Sequence, residues 1–236
     1  SVPEGSLAFW RERLSSNGAR LIAEEAIFGE DRLVAAAPDG LLIALVATAD
    51  DEREAWTTNE IAADVASRGF HGATLSLRDG EGVAKILTEL FGYEKLAEET
   101  ARVGVVIRFA VPNGNAARFI DLHVGDELPQ GVEGAGTVHH IAYSVPDSAA
   151  QKQVQEIIAK AGFHVTPQID RDYFHAIYFR TPGGVLFEVA TDEPGFTRDE
   201  EAHHLGEGLK LPTQHEPLRS RIEQVLPKLT LPGAAA

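Results

Sequence analysis

Two adjacent histidines and one glutamate inside an apolar strand are the residues of this sequence best suited to metal chemistry. His139 and His140 lie in VHHIAYSV, and Glu188 lies in VLFEVA. Neighbouring side chains of a strand point to opposite faces, so we expect one imidazole to face the core or a cavity and the other to face the reverse side. A buried carboxylate needs a cation or a hydrogen-bond donor. The alternative for Glu188 is a strand position that faces water.

The elements that would position these residues form a repeat. Segments with helical periodicity alternate with segments of strand periodicity, and a βαβββ unit occurs about three times. The first copy is predicted to lack its opening strand. The three predicted helices are PEGSLAFWRERLSSNG, EGVAKILTELFG and AAQKQVQEIIAKAG. The pattern therefore predicts an α+β protein built from tandem modules.

Aligning the copies by their turns reveals one position that changes its chemical type. PDGLLIALV matches PGGVLFEVA, and the shared position holds Ala44 in the first copy, Asp121 in the second and Glu188 in the third. At the other end of the unit, His71 in GFHGAT aligns with His140. Scaffold positions repeat as apolar residues, whereas this position gains a carboxylate. The comparison favours a functional role for Glu188.

Composition limits the classes of protein that are compatible with the sequence. The 236 residues carry a formal net charge of −15, which argues against general affinity for nucleic acid or anionic membranes. Cysteine is absent, which excludes disulfides and thiolate metal sites. No apolar run approaches the ~20 residues of a membrane helix, and no signal peptide is recognisable. These features predict a cytoplasmic protein. Methionine is absent, and the opening SVPEGSLAFWRERL is typical of the tail of a strand that runs into a helix, so we expect an N-terminal part to be missing, in a fragment or an incomplete record.

Tandem βαβββ units with a histidine on the first strand and a glutamate on the last resemble the vicinal oxygen chelate superfamily, which includes glyoxalase I, bleomycin-resistance proteins and extradiol dioxygenases. The segments GAGTVHHIAY, DRDYFHAIYFRTPGGVLFEVATDEPGF and LGEGLKLPTQHEP resemble its hydroquinone-type ring-cleaving dioxygenase branch. The resemblance covers essentially the whole chain and is strongest over residues 134–217. It implies a glyoxalase-like fold, in which tandem modules form curled mixed sheets around a metal cavity.

The resemblance also implies a division of the chain. Residues 1–68 would be the remainder of an N-terminal glyoxalase-like domain whose first module is missing. Residues 69–192 would form a C-terminal glyoxalase-like domain with two βαβββ modules. Residues 193–236 would form a tail with a short amphipathic helix, RSRIEQVLPKL, that packs on the domain, and its His203 and His204 are expected to face solvent.

Members of this branch hold Fe(II) through two histidines and one glutamate, and Mn(II) is an alternative metal. By resemblance, His140 and Glu188 are two of the ligands. The third is expected in the missing N-terminal module, with His71 as a second choice. Two imidazoles and one carboxylate on one face of iron leave the other face open, as non-haem oxygenases require.

Three further residues match pocket positions of the branch. His139 would exchange protons, Tyr178 would hydrogen-bond a substrate oxygen, and Arg171 would neutralise a phenolate. The TPGG turn can bring the strand of Tyr178 beside the strand of Glu188. From the residues alone, His139 could equally be a surface histidine or one that hydrogen-bonds a neighbour, Tyr178 a core aromatic and Arg171 a solvated strand end.

These expectations combine into an Fe(II)-dependent extradiol-type dioxygenase that opens a hydroquinone- or catechol-like ring with O2. Its partners would be a small aromatic substrate and O2, and a homo-oligomer is left open. One alternative is a glyoxalase-type lyase or isomerase, for which Asp121 could supply an extra metal ligand. Another is a metal-free ligand-sequestering protein of the bleomycin-resistance type.

Overall fold

Three four-stranded sheets, one for each βαβββ copy, are the main feature of the fold. The structure is a computed structural model that describes residues 1–49 and 51–227. Every sheet is built from strands of a single copy, and each copy has a helical segment between its first and second strands. The predicted α+β architecture of tandem modules is therefore confirmed.

The first copy forms a sheet with the strand order β1-β4-β3-β2. Its elements are β1 (Val2–Pro3), α1 (Leu7–Ser16), β2 (Arg20–Ile27), β3 (Glu30–Ala36) and β4 (Leu42–Thr48). Val2 and Pro3 pair in parallel with Ala47 and Thr48. The prediction that this copy lacks its opening strand was therefore wrong, because the chain enters the sheet before α1. The prediction that the opening residues are the tail of a strand that runs into a helix is confirmed, since β1 is followed directly by α1.

The second copy repeats the arrangement, with the order β5-β8-β7-β6. Its elements are β5 (Gly72–Leu77), α2 (Glu81–Lys85), a π-helical turn (Ile86–Leu90), β6 (Glu94–Thr100), β7 (Val105–Ala110) and β8 (Phe119–Val124). The parallel pair β5–β8 aligns Thr74 with Asp121, and the antiparallel pair β7–β8 aligns Arg108 with Asp121. This register brings charged residues of two strands to one place.

The third copy has the order β10-β11-β12-β9. Its elements are β9 (Ile141–Val145), α3 (Ser148–Lys160), β10 (Ile169–Asp170), β11 (Phe174–Arg180) and β12 (Leu186–Pro194), and the tail forms α4 (Arg219–Val225). The tail helix was predicted to pack on the domain, but α4 has no buried residue and Val225 is exposed, so that prediction was wrong. The last two residues of the predicted helical segment, Lys228 and Leu229, lie outside the described residues.

The chain divides into two compact units that do not follow the module boundaries. Unit 1 comprises Ser1–Ile141, Ile157–His164 and Phe179–Phe187, and unit 2 comprises Ala142–Glu156, Val165–Tyr178 and the residues from Glu188 onward. The core of unit 1 includes Leu33, Leu75, Leu87, Leu122, Phe179 and Phe187, and the core of unit 2 includes Ala176, Ile177 and Val189. The predicted domain limits at 68/69 and 192/193 describe the order of modules and stay predictions.

Candidate functional site

A β-hairpin positions Tyr178 and Glu188. The strands β11 and β12 are neighbours in their sheet, and the Thr181 N–H donates to the Val185 carbonyl (3.0 Å) to close the turn between them. Tyr178 lies three residues before Thr181, and Glu188 lies three residues after Val185. The predicted proximity of these two strands is confirmed. Gly184 adopts a φ of 83° in this turn, where a side chain would be strained.

Glu188 is a buried carboxylate, with 3% of its surface exposed. Its chain neighbours Phe187 and Val189 are also buried. The alternative that Glu188 faces water was therefore wrong. A carboxylate is retained in such surroundings only where cations or hydrogen-bond donors compensate for the lost hydration.

Tyr178 lies beside this carboxylate in unit 2, and Arg171 contacts Tyr178. The Nη2 of Arg171 donates to the Tyr178 hydroxyl (3.3 Å), and its guanidinium lies 5.4 Å from the centre of the Tyr178 ring. Burial raises the pKa of Tyr178; the hydrogen bond from Arg171 lowers it, and the charge of Glu188 raises it, so that the net change is upward. The phenol of Tyr178 is consequently protonated at neutral pH and able to donate a hydrogen bond.

The histidine pair is arranged differently from the prediction. His139 and His140 precede β9, which begins at Ile141. Their Nδ1 atoms lie 2.9 Å apart, and the two rings are nearly perpendicular, with centroids 5.1 Å apart. The expectation that they face opposite sides of a strand was wrong, because the alternation of side chains applies only within a strand.

The contact between the two imidazoles fixes their chemistry. In a hydrogen bond between two Nδ1 atoms, one nitrogen carries the proton and the other accepts it. With His140 as the donor through Nδ1 and His139 as the acceptor, the Nε2 of His140 carries the lone pair through which His140 would bind a metal. A metal-binding histidine is commonly oriented by a hydrogen bond at its other nitrogen, and His139 provides such a contact.

The donor types of His140 and Glu188, one imidazole and one buried carboxylate, suit a divalent metal such as Fe(II). His140 belongs to unit 1 and Glu188 to unit 2. Among residues 1–49 and 51–227, no group of three or more His, Asp or Glu side chains is arranged to hold a metal ion. The metal-binding role of this pair remains a prediction.

Unit 1 contains a buried cluster of charged side chains, and the sequence analysis did not predict that these side chains lie together. It consists of Glu30 and Arg32 from β3, His71 just before β5, Arg108 from β7 and Asp121 from β8. The Arg108 guanidinium donates to both carboxylate oxygens of Asp121 through Nε (2.8 Å) and Nη2 (2.9 Å), and to Glu30 through Nη1 (2.7 Å). The Nη2 of Arg32 lies 3.3 Å from oxygens of Glu30 and of Asp121.

His71 closes the other side of this cluster. Its Nε2 lies 3.1 Å from Oε1 of Glu30, although the atoms are not aligned as a hydrogen bond, so that the contact is best described as electrostatic. Burial alone would raise the pKa of Glu30, but His71 and Arg108 outweigh it and lower that pKa to about 2. Glu30 is therefore ionised throughout the neutral range.

The contacts of the cluster argue against two alternative metal ligands that the sequence left open. Asp121 has both oxygens committed to Arg108, so that it is a poor extra metal ligand. His71 faces Glu30 in a cluster with two guanidinium groups, which would repel a divalent cation. Sequence analysis missed Glu30, Arg32 and Arg108, although Arg108 interrupts the apolar stretch VVIRFA just as Glu188 interrupts VLFEVA.

Three further histidines have surroundings that indicate no catalytic role. His203 and His204 are exposed, as predicted, and Nδ1 of His204 lies 2.9 Å from Glu207. The Nε2 of His123 hydrogen-bonds the carbonyl of Val103 (2.7 Å). These contacts give none of the three histidines a partner set typical of a catalytic site.

Comparison with known proteins identifies the family. Residues 69–189 match the Glyoxalase/Bleomycin resistance protein/Dioxygenase superfamily. The chain belongs to this superfamily. MhqO of Bacillus subtilis (strain 168), which carries the name of a ring-cleaving dioxygenase, is 41% identical over 225 residues, which are 95% of this chain and 70% of MhqO. Chlorohydroquinone/hydroquinone 1,2-dioxygenase of Sphingobium indicum is 30% identical over 94% of this chain and 69% of its own length.

A solved structure supports the same assignment within the superfamily. The crystal structure of a protein from Bacillus subtilis subsp. subtilis str. 168, described as a dioxygenase, aligns with a TM-score of 0.87 at 40% identity. The alignment covers 97% of this chain and 72% of that chain. These relatives confirm the resemblance to the ring-cleaving dioxygenase branch and the expectation of an oxidoreductase. No helix of the described residues is long and apolar enough to cross a membrane.

Proposed function

We propose that this protein is an Fe(II)-dependent dioxygenase of the extradiol type, which opens a hydroquinone- or catechol-like ring with O2. Among its relatives, one carries the name of a hydroquinone dioxygenase and another that of a ring-cleaving dioxygenase. The observation that carries the proposal is the buried Glu188 carboxylate beside the Tyr178 phenol, with Arg171 on that phenol. A buried acceptor, a neutral donor and a cation are what binding of a phenolic substrate at a metal requires.

His140 and Glu188 would hold the iron, with Mn(II) as the alternative metal. The branch that this chain resembles takes its third ligand from a module outside the present sequence. When bound, the metal would relay electrons between the aromatic ring and O2. The hydrogen bond between His139 and His140 would keep the metal-binding ring of His140 in one orientation.

The other residues would act directly on the substrate. The raised pKa of Tyr178 keeps its hydroxyl protonated, so that it can donate a hydrogen bond to a phenolic oxygen of the substrate. Arg171, an exposed residue, would neutralise the negative charge of a phenolate and hold Tyr178 in place. His139 is also exposed and could exchange a proton with water while it contacts His140.

The two alternative functions differ in their predictions. A glyoxalase-type lyase or isomerase would be favoured by an extra carboxylate ligand, but Asp121 is occupied by Arg108. A ligand-sequestering protein would bind an aromatic compound and consume no O2. Oxygen uptake therefore separates the proposed function from both alternatives.

The test compares the full-length protein with its Glu188→Ala variant, after anaerobic loading with Fe(II). We expect the parent protein to retain iron and to take up O2 with a hydroquinone or a catechol. Glu188→Ala should lose iron, because contacts outside the coordination shell cannot replace a carboxylate ligand. Metal content and oxygen uptake are measured on the same preparations.

Glu89→Ala is the matched control, since Glu89 is exposed on the π-helical turn of the second copy. It should retain iron and turnover at the parent level. Full iron retention by Glu188→Ala, or the absence of oxygen uptake with every hydroquinone and catechol tested on iron-loaded parent protein, would contradict the proposal.

A further inference from the structure

The charged cluster of unit 1 occupies repeat positions equivalent to those of the candidate metal ligands. Asp121 aligns with Glu188 in the internal repeat, and His71 aligns with His140. Asp121 lies on β8 opposite Thr74 of β5, and His71 immediately precedes β5. The second copy therefore retains a histidine and a carboxylate at the positions that the third copy is proposed to use for metal binding.

A third ligand-type group joins them from the first copy. Glu30 lies 3.1 Å from His71 and shares two arginine partners with Asp121. Two carboxylates therefore share the same guanidinium groups, and one imidazole contacts the Glu30 carboxylate on its other oxygen. This donor set, one nitrogen ligand and two carboxylates, is suited to a divalent transition metal.

Charge balance explains why these groups are stable without a metal. Arg108 and Arg32 together supply two positive charges, which equal the charge of one divalent cation and neutralise Glu30 and Asp121. Arg108 is 5% exposed and Arg32 is 7% exposed, so both charges act in surroundings of low polarity. Phe28 and Phe119 cover the Arg108 guanidinium at 4.5 and 4.6 Å from their ring centres.

Two features indicate that the arrangement is specific. Phe28 adopts a φ of 56°, an unfavourable conformation for an aromatic residue, in the turn that places its ring on Arg108. The buried Nε of Arg32 has no hydrogen-bond partner among the described residues. The carboxylates of Glu30 and Asp121 thus do not accept from every N–H donor of the two guanidinium groups. This is expected where two guanidinium groups fill a site whose size suits a single ion.

We propose that unit 1 contains a degenerate second metal site, in which the guanidinium groups of Arg108 and Arg32 take the place of a divalent cation held by His71, Glu30 and Asp121. The parent protein binds no metal there. Removing both guanidinium groups exposes a cluster with two negative charges and one imidazole, and this cluster then binds a divalent metal. The inference does not depend on the function proposed for His140 and Glu188.

The test uses the full chain in a Glu188→Ala background and Co2+ as the probe, because Co2+ is stable in air and its visible absorption reports on its ligands. The variant that carries Arg32→Ala and Arg108→Ala in this background should bind one additional Co2+ per chain. Its affinity for this Co2+ should be at least about a hundredfold higher than that of the protein with Glu188→Ala alone. Adding Asp121→Ala or His71→Ala should abolish this additional binding. Equilibrium dialysis gives the stoichiometry, and absorption spectra give the ligand environment.

Removal of two buried cations destabilises the fold, because it leaves Glu30 and Asp121 without counter-charges. Thermal unfolding is therefore measured with and without Co2+. A variant that folds, or regains its folded spectrum, only with Co2+ supports the inference. A variant that shows neither additional binding nor recovery by Co2+ overturns it, and so does additional binding that survives both Asp121→Ala and His71→Ala. Co2+ that the Glu188→Ala protein binds without the arginine substitutions is measured as background and subtracted.

Discussion

Tyr178 is the residue at which chemistry and packing can be separated most cleanly. Its ring is half-buried, and its hydroxyl receives a hydrogen bond from Arg171 while Glu188 raises its pKa. Removing the hydroxyl leaves the ring and therefore the packing of β11 in place. A loss of function in such a variant would report on the hydroxyl group alone.

Tyr178→Phe should retain iron at the parent level and lose turnover by roughly a hundredfold to ten-thousandfold, the range for a lost proton donor. Iron content and oxygen uptake are measured together on anaerobically loaded protein. Tyr173→Phe is the matched control, because its hydroxyl contacts Asp199 and not the buried Glu188. Turnover at the parent level in Tyr178→Phe would return this residue to the role of a packing aromatic.

At the scale of elements, the position of Glu188 depends on the hydrogen bonds that join α3 to its sheet. Gln151 of α3 is fully buried, and its Nε2 donates to the carbonyls of His175 (2.8 Å) and Val189 (2.7 Å). The Nε2 of Gln168 donates to Gln151 Oε1 (2.9 Å), so that both ends of the amide are satisfied. One side chain thus connects α3 to β11 and to the residue next to Glu188.

Gln151→Leu should lower the free energy of unfolding by about 1–3 kcal/mol, because it leaves buried carbonyl groups without a donor. Urea denaturation measures the change. Gln153→Leu is the control on the same helix, since Gln153 is exposed, and it should have little effect. Equal stability of the two variants would show that the Gln151 contacts contribute nothing net.

For the whole molecule, the buried charges make stability depend on acid. The pKa of Glu30 is lowered from 4.5 to about 2, so that ionised Glu30 stabilises the folded chain above the pKa of the unfolded state. This contribution is lost as the pH falls from about 4.5 towards about 2. Asp51, whose pKa is also lowered by the hydrogen bond from Arg53, adds to the loss over the lower part of this range.

Glu30→Gln should reduce the difference in unfolding free energy between pH 5 and pH 3, since the variant has no charge to lose at that position. Denaturant titrations at the two pH values measure this difference. Glu52→Gln, at an exposed glutamate, should leave it at the parent value. If Glu30→Gln shows the same difference in unfolding free energy between pH 5 and pH 3 as the parent protein, other carboxylates are responsible for the acid sensitivity.

Much of the fold could be predicted because its information is local. The three helices and most strands follow from the spacing of apolar residues within each segment, and the βαβββ repeat tests each copy against the others. The hairpin that places Tyr178 beside Glu188 is encoded by the few residues of the TPGG turn. The comparison of copies also singled out Glu188, because a lone carboxylate in an apolar strand of one copy stands out against Ala44 in another, but only the structure decided that Glu188 is buried.

Contacts between segments that are far apart in sequence could be identified only from the tertiary structure. Glu30 and Arg108 are 78 residues apart and Arg32 and Asp121 are 89 residues apart, and no local pattern specifies such a pairing. The histidine pair was misjudged for a related reason, since where β9 begins depends on its pairing in the sheet and not on VHHIAYSV alone. The sequence by itself determined the repeat, the module architecture and the residues with chemical potential. Only the folded chain decided which carboxylate is neutralised by arginines, because pairing of buried charges is set by the three-dimensional approach of strands that are far apart in sequence.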